Sequence, residues 1–105
     1  MESGKFFETT VNLIIKHCPL LLKFVWKWDS ELKVEKEVEI KHELLKLISL
    51  RSVCSKKGYI HALNLKGDNL EVCELGRMNV FRVIKSKHVV LRKIGAAVGS
   101  IVLDE

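Results

Sequence analysis

The sequence predicts an α+β domain: an antiparallel sheet of about five strands with two or three helices packed on one face. Three observations lead there. Apolar residues recur at helical spacing near the start, alternation with a period of two dominates the middle, and one proline with six glycines points to tight connections. A chain of 105 residues with 48% hydrophobic content can bury one core without a metal or a disulfide, so a single domain over residues 1–105 is expected.

The elements follow in order. Phe7, Val11, Ile14 and Cys18 share one helical face, predicting a helix over residues 3–17. Pro19 pushes Cys18 out of helical geometry and ends it. In residues 20–28, Leu22, Phe24, Trp26 and Trp28 alternate with Lys23, Val25 and Lys27, which reads as a strand. Leu32, Val34, Val38 and Ile40 continue the alternation after an Asp29-Ser30 turn, suggesting a hairpin with one wet face. Lys36 breaks the phase and calls for a bulge or an edge position.

For residues 41–54, Ile40, Leu44, Leu47 and Ile48 favour a helix over the rival strand at 44–53. Residues 59–75 read as a hairpin around Gly67-Asp68, pairing Leu63 with Val72 and His61 with Glu74. A strand over 78–85 follows. Ser86 then caps a helix over 87–98, with Leu91, Ile94 and Val98 on its apolar side and Gly99 closing it, before a short strand at 100–103.

Charge is unevenly distributed. The net charge is +5, yet residues 29–43 hold six acids, while residues 76–103 hold none. That later stretch carries Arg77, Arg82, Lys85, Lys87, Arg92 and Lys93, with His88 among them. If these seven side chains share one surface, they form a phosphate-contacting patch, and binding to nucleic acid would be backbone-dominated and salt-sensitive. The competing feature is aromatic. Phe24, Trp26 and Trp28 on an outer strand would mark a docking face and a homodimer.

Other chemistry finds little support. The three cysteines lack a CxxC spacing and suit a reducing, cytoplasmic compartment, and the four histidines are too far apart to announce a metal site. No cofactor is implied. Gly95 and Gly99 do not match a phosphate loop, whose lysine follows the last glycine. No signal peptide or transmembrane segment is expected, since Lys16, Lys23, Lys27 and Pro19 interrupt the longest apolar stretch. The overall expectation is a non-enzymatic binding protein.

Overall fold

The helix at the start forms as its periodicity predicts, and it is the one helix in the computed structural model, which describes residues 3–104. This helix, α1 (Ser3–His17), is followed by eight strands: β1 (Lys23–Trp28), β2 (Lys33–Lys41), β3 (Leu47–Ser52), β4 (Tyr59–Lys66), β5 (Val72–Gly76), β6 (Asn79–Lys85), β7 (Val90–Ile94) and β8 (Ala97–Leu103). The odd strands form a first sheet in the order β1-β3-β5-β7, and the even strands a second, β2-β4-β6-β8. Every neighbouring pair is parallel. The chain thus winds through four two-stranded coils, a short parallel solenoid.

This architecture corrects the expected antiparallel sheet of five strands with two or three helices. Strands hold 53 of the 102 described residues, and consecutive strands lie in opposite sheets instead of pairing. The apparent hairpin at 59–75 illustrates the cause. Leu63 and Val72 are both apolar and correctly phased, but Leu63 pairs with Val38 and Val83, while Val72 pairs with Leu47 and Val90. A parallel strand needs a crossover to reach its partner, and here the strand of the opposite sheet is that crossover. Residues 47–52 take the strand alternative. The expected helix at 87–98 is two strands meeting at a corner where Gly95 adopts φ 69°. Arg77, at φ 51°, turns the corresponding corner one coil earlier.

Inward rows of side chains build the core. Phe24, Ile48, Cys73 and Leu91 form one row across the first sheet. Val38, Leu63, Val83 and Ile101 form another across the second. The register irregularity of β2 falls between Val34 and Glu37, so Lys36 sits at a bulge on an edge strand. His42 is buried and ties two connections together: its Nε2 donates to the Cys18 carbonyl at 2.7 Å, and its Nδ1 accepts from the Leu45 amide at 3.0 Å. Both ring nitrogens serve the fold.

α1 closes the first coil. Phe7 stacks on Trp26 at 5.2 Å and meets Trp28 edge-on at 5.6 Å. Phe24, Trp26 and Trp28 are partly buried against the core, Trp26 and Trp28 beneath the helix. No helix among the described residues is long and apolar enough to cross a membrane.

Cys73 is buried within its row, and burial raises its thiol from 9.0 to about 12, with the charge of Glu74 adding to the effect. The unfolded chain ionises first, so the stabilisation is complete below pH 9.0 and declines as the pH rises toward 12. Denaturation followed above pH 9.0 is expected to show a steeper loss of stability in the native protein than in Cys73→Ala. Equal slopes would contradict this account.

Candidate anion-binding face

Alternation along each strand sends every second side chain outward, and parallel stacking aligns these residues across the first sheet. One outward row runs Val25, Ser49, Glu74, Arg92, and the next runs Lys27, Arg51, Gly76, Ile94. Lys23 heads a third row with Leu47, Val72 and Val90. Lys23, Lys27, Arg51 and Arg92 thereby share one face with a single carboxylate, Glu74. They border a shallow depression of about 450 Å³.

Gly76 shapes that depression. A Cβ at this position would stand 2.7 Å from Arg51 Cγ, so the absent side chain lets Arg51 lie flat across β5. Arg92 donates to Glu74 Oε2 at 3.2 Å, which neutralises one cation. Among the described residues no carboxylate pairs with Lys23, Lys27 or Arg51.

The outer face of the second sheet contrasts with this. There Lys66 pairs with Glu39 at 3.2 Å, Arg82 approaches Glu37 at 3.8 Å, and Asn64 donates to Glu37 at 3.1 Å. The acids of residues 29–43 compensate cations from later coils, so the two outer faces differ in charge.

Comparison with protein-family models, with curated proteins and with solved structures finds no match. The geometry therefore stands alone, and it redistributes the seven basic residues singled out from the sequence. Arg92 lies on the first face and Arg82 on the opposite one, beside Glu37. Lys85 turns inward at 8% exposure, and its Nζ donates to the Val89 carbonyl at 2.8 Å and to the Ser86 carbonyl at 3.4 Å. It closes the turn between β6 and β7. Lys87 and His88 are exposed on that turn. Lys93 belongs to the inward row of Leu75, and Arg77 occupies a corner beside Gly95. These side chains do not converge.

The residues that do converge, Lys23, Lys27 and Arg51, were not singled out. Their signal is a register: Lys27 and Arg51 are 24 residues apart, and Arg51 and Gly76 are 25. The next rung comes after only 18. This uneven period leaves no repeat visible to inspection.

Proposed function

We propose that the protein is a non-enzymatic nucleic-acid-binding protein that holds a phosphodiester backbone on the outer face of its first sheet. The observation that carries this reading is the cluster of Lys23, Lys27 and Arg51 without carboxylate partners, on a molecule whose other broad face is charge-balanced. Lys27 and Arg51 stand on adjacent strands, about 5 Å apart at the backbone. Lys23 lies four residues from Lys27 along β1, about 13 Å away. Such a row follows a chain of phosphates without reading bases. The three free cysteines fit a reducing compartment, the cytoplasm.

The test is binding of a labelled single-stranded oligonucleotide, followed by fluorescence anisotropy over a salt series. Three phosphate contacts give a log–log salt slope of about −2. Reversing charge at both Lys27 and Arg51 is expected to weaken binding at least about tenfold. Reversal at Arg82 and Lys87, which lie elsewhere, should leave it nearly unchanged. Absence of binding at low salt, or equal losses from both pairs of substitutions, would overturn the proposal.

A further inference from the structure

Among the described residues, one end of the solenoid is covered by a helix and the other end is uncovered. At the start, α1 lies over the first coil and buries Phe7 and Val11 against it. At the other end, no element among the described residues follows β7 and β8. The inward rows show the consequence. Val38, Leu63 and Val83 are at most 1% exposed, whereas Ile101, the next in that row, is 47% exposed. Leu103, aligned with buried Lys85, is 53% exposed. Core-facing side chains thus lack a covering layer on the last coil.

The two free edges differ. β7 carries Arg92 and Lys93, the kind of charge that discourages further pairing. β8, with sequence AVGSIVL, has no charge and no proline over seven residues. Its backbone is an unguarded template for another strand.

We infer that β8 pairs antiparallel with β8 of a second copy, closing the open end as a two-fold dimer. The side-chain directions of this segment are palindromic. Ala96, Val98, Ile101 and Leu103 face the core, and Ala97, Ser100 and Val102 face away, while Gly99 at the centre lies close against the Phe81 backbone. One register respects them: Val98 opposite Ile101 of the second copy and Ala96 opposite its Leu103, inward residue against inward residue.

Charge agrees with the same register. Asp104 is the first acid after Glu74. Its amide donates to the Lys85 carbonyl at 2.8 Å, so it prolongs β8 by one position. In the dimer it stands opposite Gly95 of the second copy, against which the Arg77 side chain packs; a Cβ on Gly95 would lie 3.6 Å from Arg77 Cγ. Each copy therefore sets Asp104 beside the other's corner arginine. Because α1 occupies the opposite end, head-to-tail stacking into a fibre is blocked. A closed isologous pair is the assembly this geometry permits.

Light scattering and sedimentation across the micromolar range test this. The native chain is expected to be a dimer. Ile101→Lys should raise the dissociation constant at least about a hundredfold while the circular dichroism spectrum stays native. Arg77→Glu and Asp104→Lys should each weaken the dimer about tenfold, and the double variant should recover most of that loss. Amide exchange on the native chain supplies a readout free of mutation, since the β8 amides should lose protection on dilution. A native chain that stays monomeric at high micromolar concentration would overturn the inference. So would a folded Ile101→Lys that dimerises normally, or β8 protection that ignores dilution.

Discussion

Phe7→Ala is expected to destabilise the fold by about 3–5 kcal/mol, a large share of the roughly 5–15 kcal/mol that holds a domain of this size. Phe7 is 1% exposed and lies parallel to Trp26, with an interplanar angle of 5°. Trp28 presents its edge to the same ring. Removing the ring takes away the burial of a large aromatic side chain, two ring contacts and the main anchor of α1, and it leaves a void that helix and sheet cannot both fill. Urea unfolding gives the stability, and tryptophan emission should shift to the red in the folded variant as Trp26 and Trp28 gain water. A loss below about 1 kcal/mol would show that α1 is dispensable and that the first coil covers itself.

Gly58→Ala is expected to be at least as damaging, at about 3 kcal/mol or more, and to abolish folding in a marginal background. The reason is backbone against backbone. A Cβ on Gly58 would overlap the Leu32 carbonyl oxygen and stand 2.6 Å from the Leu32 nitrogen. The same carbonyl accepts the Tyr59 amide at 2.7 Å, so it cannot retreat without breaking the first bond between β2 and β4. Unlike an overpacked side chain, a peptide group has no rotamer to change. Lys56→Ala, two residues away on the exposed connection, serves as the control and should shift stability by less than about 0.5 kcal/mol. A folded Gly58→Ala with native stability would mean that the two coils are not in contact at Leu32.

Much of the local structure was legible in the sequence. The face of α1, the shared face of Phe24, Trp26 and Trp28, and the inward set Val34, Val38 and Ile40 all follow from spacing, because periodicity reports which residues lie on one side of an element. Pairing was not legible. Gly67-Asp68 between two apolar runs carries the chemistry of a hairpin turn, yet the flanking strands leave it in different sheets. What decides the partner is a strand in the next coil, 18 to 26 residues away, and no short-range feature encodes that choice. In residues 87–98, Leu91, Ile94 and Val98 fit a helical face, but they also fit two strands joined at a glycine corner. The β-branched content of Val89, Val90, Ile94 and Val98 favours the second.

The candidate site failed to be read for the same reason. Local charge density pointed to residues 77–93, but density along the chain says nothing of direction. Consecutive residues of a strand face opposite ways, which sends Arg92 outward and Lys93 inward. Grouping Lys27 with Arg51 requires the coil register first.

The one-sided cap also gives the molecule a direction of unravelling. Each coil is held only by its immediate neighbours, so local opening in such a stack is a nearest-neighbour process. The last coil, touching one neighbour only, should fray first, and its amides should exchange fastest in the dissociated chain. The coil beneath α1 should be the last to let go, so that stress or heat peels the structure from its final residues backward while the tryptophan-lined start stays folded.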